Sequence, residues 1–136
     1  MQDQASLYDT LGGAEVLRRM TRRMYELMAT LPDAAAARAV HPPDLSGSEQ
    51  KFFEFMSGWL GGPPLFVDKH GPPMLRRRHF VAQIGPAEVA AWLLCFETAM
   101  AETVSDPLMQ DAMREPIRRL AHHMQNTDGR SRDQIS

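Results

Sequence analysis

The sequence has one cysteine, little isoleucine or valine, no long apolar run and no large excess of either charge. The single Cys95 excludes an intramolecular disulfide and fits a reducing compartment. The shortage of β-branched aliphatic residues disfavours a β-rich fold. No apolar run reaches the roughly 18 residues of a membrane-spanning helix, and the first residues lack the basic and apolar parts of a signal peptide. We therefore expect a cytoplasmic protein that does not insert into a membrane.

Charge excludes a further class of partner. Lysine and arginine number 15 and aspartate and glutamate 17, so the formal net charge is −2. A chain without a global cationic field is not suited to binding nucleic acid or acidic membranes. The length of 136 residues predicts one domain, over residues 1–126, followed by a polar tail, 127–136, that we expect to be disordered.

Helical periodicity is what the sequence does contain. Hydrophobic residues make up 43% of the chain and include 10 methionines, which predicts an all-α fold with an adaptable, Met-rich core. Helical segments are predicted over residues 6–11, 14–31, 32–40, 46–60, 86–104 and 107–126. Ser46 and Glu49 have the spacing of a capping box at the start of the fourth segment.

Residues 59–84 do not follow this pattern. They contain two diprolines, three glycines and a triple arginine, so a long regular element is excluded and an irregular strap is predicted. A short helical piece over 74–80 ends the strap and presents His79. One imidazole presented in this way could hold a metal-centred cofactor against a helical core.

The other chemical signals are absent or ambiguous. None of the five histidines pairs as a chelate, and the sequence has no His-Glu-x-x-His, Cys-x-x-Cys or glycine-rich phosphate motif. On residue pattern alone His79 could equally be a helix cap or a half-buried core residue. Tyr25 and Trp92 could be ordinary residues at the edge of the core, and the aromatic stripe over 52–60 could be core.

The combination of motifs, however, resembles the group II truncated haemoglobins of bacteria. The resemblance extends from Leu7 to about Asn126. It is carried by the runs Trp59 to Leu65, His70 to Pro72, Leu75 to His79 and Trp92 to Cys95. It implies a two-over-two α-helical sandwich around haem b, with a very short first helix and a mostly irregular proximal loop.

The resemblance also implies roles for individual residues. His79 occupies the position of the proximal iron ligand, and Tyr25 and Trp92 match the distal tyrosine and tryptophan. Donors of this kind, aimed at a bound diatomic ligand from a dry pocket, stabilise it. Ser48 stands where many other globins carry a distal histidine. The implied haem-contacting positions are Phe52, Met56, Phe66, Leu75, Arg78, His79, Ile84 and Trp92, and the Arg78 guanidinium is expected to bind a haem propionate.

Three positions qualify this match. His41 lies at a corner that packs on the haem, where it could join the distal hydrogen bonds or stack on the porphyrin edge. Relatives commonly have a Pro-Phe pair after the proximal histidine, whereas this chain has Phe80 and Val81. Phe66 replaces a frequent tyrosine and so cannot donate to a propionate.

Two functions are consistent with such a pocket. The first is binding of dioxygen and other diatomics, nitric oxide and carbon monoxide, including oxygen transport. The second is an enzyme that detoxifies nitric oxide or peroxide with electrons from a separate reductase. The absence of a fused flavin or nicotinamide module favours binding or an external reductase.

Overall fold

The structure, a computed structural model, describes residues 6–72 and 83–126. Within these ranges the chain forms seven α-helices, one short 3-10 helix at Pro32–Ala34, and no strand. The α-helices, numbered here in chain order, are α1 Leu7–Leu11, α2 Gly13–Thr30, α3 Ala35–Ala39, α4 Ser46–Trp59, α5 Leu65–His70, α6 Pro86–Thr103 and α7 Pro107–His123. The all-α prediction is confirmed. The predicted helical piece over 74–80 and the predicted tail lie outside the described residues.

The long helices form two pairs. Helix α2 packs on α4, α6 packs on α7, and the two pairs meet chiefly where α2 crosses α6. The buried centre is rich in methionine, as predicted: Met20, Met24, Met28, Met56, Met100 and Met113 are each at most 1% exposed. Unbranched thioether side chains fill the irregular space between helices that cross, which suits a fold with few aliphatic β-branched residues.

The start of α4 differs from the prediction. Ser46 is the first helical residue and not the cap, and it makes no capping box with Glu49. Its backbone N–H and its hydroxyl instead donate to Asp44 Oδ1, at 2.9 and 2.8 Å. Ser46 bonds Asp44 and not Glu49 because the Asp44 carboxylate is a charge-assisted acceptor only two residues upstream. These bonds lower the pKa of Asp44.

Helix α5 was not predicted. Six residues between a diproline and Gly71 turn once and a half inside the segment that we expected to be irregular. The prolines precede the helix, where their missing N–H groups are tolerated, and Gly71 with φ of +80° ends it. Breaker residues therefore bound this helix instead of preventing it.

A glycine pair connects the first helix to the turn after α4. Gly61 has φ of +89°, a conformation that glycine adopts without strain. The ring of Tyr8 lies directly against Gly62, and the Tyr8 N–H donates to the Leu60 carbonyl at 2.9 Å. Helix α1 is thereby attached to the end of α4.

We expect Gly62→Ala to destabilise the protein by about 1–3 kcal/mol, because its Cβ would overlap the Tyr8 ring. Urea unfolding measures the change. Gly47→Ala is the matched control, since an added Cβ meets nothing within 4 Å there and alanine favours a helix. Equal stability of the two variants would contradict the assigned packing.

Candidate functional site

Tyr25 is a buried phenol on the inward face of α2. The residue is 5% exposed and lies edge-on to His41, with ring centroids 5.9 Å apart. Burial, and then the nearby Glu49 and Cys95, raise its pKa well above the usual range, so the hydroxyl carries its proton at neutral pH. Within residues 6–72 and 83–126 this hydroxyl makes no hydrogen bond, and no fully buried side-chain oxygen or nitrogen of these residues lacks a partner, so the Tyr25 oxygen is still accessible to a small molecule.

An aromatic cluster continues from Tyr25 to α4 and α6. Phe52 lies 6.3 Å from Tyr25, 5.5 Å from Trp92 and 6.3 Å from Phe96, measured between ring centroids. Trp92 stacks on the fully buried Phe96 at 5.8 Å and 14°. The Trp92 indole N–H also makes no hydrogen bond to the described chain. Two donors without an acceptor thus lie on either side of Phe52.

His41 lies beside this cluster at the end of α3. Its Nδ1 is 2.8 Å from the Ala37 carbonyl oxygen, and a carbonyl only accepts, so Nδ1 carries the proton. This bond holds the half-buried ring nearly perpendicular to the Tyr25 ring, at an interplanar angle of 83°. His41 thus lies next to Tyr25, and both roles considered for it are consistent with this position.

The side chains on the inward face of α4 differ in how far the described protein buries them. Met56 is fully buried, whereas Phe52, Phe55 and Trp59 are only half-buried by the described protein. Phe53 is 5% exposed and lies under the Arg18 guanidinium at 3.6 Å. Ser48, one turn before Phe52, is half-buried on the same face. A bound planar cofactor would cover these half-buried aromatic rings, which lie next to hydrogen-bond donors that have no acceptor in the described chain.

On the opposite side of α4, α5 supplies Phe66. This ring is 7% exposed, 6.4 Å from Phe55 and 4.6 Å from the His70 ring. A mostly apolar cavity of ≈ 270 Å³ lies between α4, α5 and the turn that joins them, lined in part by Phe55, Trp59 and Phe66. Ile84 is buried at 8% exposure just before α6. Leu75, Arg78 and His79 lie outside the described residues.

One polar cluster was missed by the sequence analysis. Glu54 is 5% exposed on α4, and its carboxylate accepts from Gln50 at 3.0 Å, Lys69 at 3.1 Å and His70 at 3.1 Å. Burial opposes the ionised form, but these hydrogen bonds together lower the pKa of Glu54. The only available signal was a carboxylate placed between apolar residues, four positions after Gln50.

Metal binding by clustered side chains is not a property of the described chain. Among residues 6–72 and 83–126, no group of three or more His, Cys, Asp or Glu side chains could hold an ion. Over the same ranges, none of the helices has the length and apolar character needed to cross a bilayer. The described part of the site consists of aromatic side chains around Phe52 and the two hydrogen-bond donors Tyr25 and Trp92.

Known proteins are similar to this chain in sequence and fold. A model of the family described as bacterial-like globin matches residues 6–126. A group II 2-on-2 haemoglobin from the plant pathogen Agrobacterium tumefaciens has 57% sequence identity, covers 92% of this chain and 97% of its own, and superposes with a TM-score of 0.89. The group 2 truncated haemoglobin YjbI of Bacillus subtilis is 32% identical over 114 residues, 84% of each chain. A truncated oxygen-avid haemoglobin from Bacillus subtilis has 31% identity, a TM-score of 0.82, and coverage of 90% of this chain and 100% of its own.

Proposed function

Because this chain belongs to the bacterial-like globin family and is a group II truncated haemoglobin with the two-over-two fold, we propose that it binds dioxygen and other diatomic ligands on haem b held by His79. The family implies a haem cofactor and small diatomic ligands. The specific ligation and the distal hydrogen bonds are our proposal. The observation that supports it is the pair of donors, Tyr25 and Trp92, that flank Phe52 without an acceptor in the described chain.

The residues present fit a haem. The Tyr25 hydroxyl is accessible and has no acceptor in the described chain, so it can donate to a ligand that binds beside it. The rings of Phe52 and Phe66 and the side chains of Met56 and Ile84 offer apolar contacts on α4, α5 and the entry to α6. Leu75, Arg78 and His79 are assigned from the resemblance, with Arg78 pairing with a propionate.

Haem supplies an iron atom that binds diatomic ligands reversibly. The protein's part is to hold this group, exclude water and present protons. Tyr25 and Trp92 each donate one hydrogen bond toward the ligand, because both carry their proton at neutral pH and neither has a competing acceptor in the described chain. Ser48 leaves room where a larger side chain would stand, and Phe52 limits access.

Dioxygen is the ligand we favour. Two hydrogen-bond donors beside one ligand position favour a ligand that accumulates negative charge over a less polar one such as carbon monoxide. The oxygen-avid relative from Bacillus subtilis supports the same choice. A separate reductase, needed if the pocket turns over nitric oxide or peroxide, stays a prediction.

The visible absorption spectrum of the purified protein with added haem tests the function. Spectra are recorded for the ferric form, the ferrous form, and the ferrous form with carbon monoxide. We expect a five-coordinate ferrous spectrum that converts to a histidine-ligated carbonyl form. Absence of a haem band under all three conditions would contradict the proposal.

A further inference from the structure

Residues 73–82 carry the proposed iron ligand, and in the sequence they lie between α5 and α6. Neither neighbouring helix continues into the segment, because Gly71 with φ of +80° ends α5 and Pro86 begins α6. Two separate groups of hydrogen bonds hold the described residues on either side of the segment.

The first group holds the end of α5 on α4. Glu54 Oε1 lies 3.1 Å from His70 Nε2, and Glu54 Oε2 accepts from Lys69 Nζ at 3.1 Å. Glu54 Oε2 also accepts from Gln50 Nε2 at 3.0 Å, and Gln50 Oε1 accepts from Arg18 Nη1 at 2.7 Å. The carboxylate thus connects the last two residues of α5 to α4 and, through Gln50, to α2.

The second group bonds the other end to Asn126, three residues beyond the end of α7. The Ile84 N–H donates to Asn126 Oδ1 at 2.8 Å, and the Asn126 N–H donates to the Ile84 carbonyl at 2.8 Å. These reciprocal bonds join two residues 42 positions apart. They also fix the backbone of Ile84, whose buried side chain we have assigned to haem contact.

We propose that Glu54 and Asn126 are positioning residues that fix both ends of the segment carrying the iron ligand and thereby set the strength and orientation of the iron–histidine bond. The inference rests on the proposed function of His79. Groups hydrogen-bonded to a metal ligand control its affinity as well as its geometry, and their loss typically weakens binding 10- to 100-fold. Glu54 and Asn126 act one step further away, through the backbone on either side of the segment that carries the ligand. Neither residue needs to touch haem for this effect.

The test combines a spectroscopic measurement with a rate. Resonance Raman spectra of the ferrous protein give the iron–histidine stretching band, and transfer of haem to an excess of apomyoglobin gives the rate of haem loss. Glu54→Met keeps side-chain length but removes the acceptor, and the Lys69 side chain that loses its partner is 61% exposed, so its charge stays in water. Asn126→Ala removes the acceptor at the other end, whereas Asn126→Asp retains it.

We expect Glu54→Met and Asn126→Ala each to shift or broaden the iron–histidine band and to speed haem loss by about tenfold. Both residues act on the same segment, so their effects are coupled, and the double variant should lose haem faster than either single variant, by up to about a hundredfold. Asn126→Asp should restore most of the wild-type behaviour, because its carboxylate still accepts from the Ile84 N–H.

Two controls separate positioning from general stability. Gln110→Ala removes a side-chain bond to the Val104 carbonyl, at the other end of α7, and Glu97→Gln alters a carboxylate that pairs with Arg118 at 3.0 Å. Both should leave the band and the rate unchanged. Urea unfolding of each haem-free variant shows whether a change in haem retention exceeds any change in folding.

The result distinguishes this inference from the function on which it rests. A wild-type protein without an iron–histidine band would overturn the ligation, and the inference with it. A wild-type band that Glu54→Met and Asn126→Ala leave unshifted, with unchanged haem loss, would overturn the positioning role alone. Equal effects of Gln110→Ala and Asn126→Ala would overturn it as well.

Discussion

Replacing His79 with glycine should abolish the five-coordinate, histidine-ligated ferrous spectrum and accelerate haem loss by at least about a hundredfold. Loss of a group that merely orients a metal ligand already costs up to about a hundredfold, so loss of the ligand itself should cost no less. The apolar contacts from Phe52, Phe66 and Ile84 would still retain some haem. Absorption spectra and transfer of haem to apomyoglobin measure the two effects.

Added imidazole gives a second test of the assignment of His79. The glycine variant leaves space where the side chain stood, so free imidazole should enter and restore the histidine-ligated spectrum. His122→Ala is the matched control, because His122 is exposed at the end of α7, and its spectra should match those of the wild type. An unchanged ferrous spectrum in His79→Gly would refute the assignment of His79.

The long helices could be predicted because each has one continuous apolar stripe. The structure places α2 at Gly13–Thr30 and α6 at Pro86–Thr103, within one residue of the predicted ends. Helix α7 ends at His123, three residues before the predicted end, and Asn126 instead bonds to Ile84. That bond joins parts of the chain 42 residues apart, so no local pattern could reveal it.

Short elements were harder to predict for a different reason. Helix α5 has only six residues, fewer than two turns, so apolar periodicity cannot be recognised in it. Its stability comes from contacts, namely Phe66 against Phe55 and the two terminal side chains against Glu54. The predicted capping box of Ser46 and Glu49 does not form, because a competing acceptor, Asp44, lies two residues upstream of Ser46.

The candidate site could be predicted only through the family resemblance. Tyr25, Phe52 and Trp92 come from three helices, and each has an ordinary core interpretation when taken alone. Their convergence is a tertiary property: the Phe52 ring lies within 6.3 Å of both Tyr25 and Trp92, between ring centroids. The structure adds what the resemblance did not contain, namely the missing acceptors in the described chain and the Glu54 and Asn126 hydrogen bonds.

The lack of an acceptor for Tyr25 and Trp92 has a measurable consequence for ligand release. A hydrogen bond of this kind contributes about 1–2 kcal/mol, which corresponds to roughly a tenfold change in rate. Tyr25→Phe and Trp92→Phe should therefore each speed dioxygen release by about tenfold. Both changes retain an aromatic ring, so packing on Phe52 and Phe96 is largely kept. Stopped-flow displacement of dioxygen by carbon monoxide gives the rates.

Two comparisons decide whether hydrogen bonding is the cause. Tyr8→Phe removes the other phenol of the chain, on α1 and outside the site, and should not change release. Carbon monoxide is a weaker acceptor, so its release should change much less than that of dioxygen in the two site variants. Equal acceleration for both ligands would assign Tyr25 and Trp92 to packing alone. Both donors would bond the same ligand, so their contributions are coupled, and we expect the double variant to release dioxygen faster than either single variant, by up to about a hundredfold.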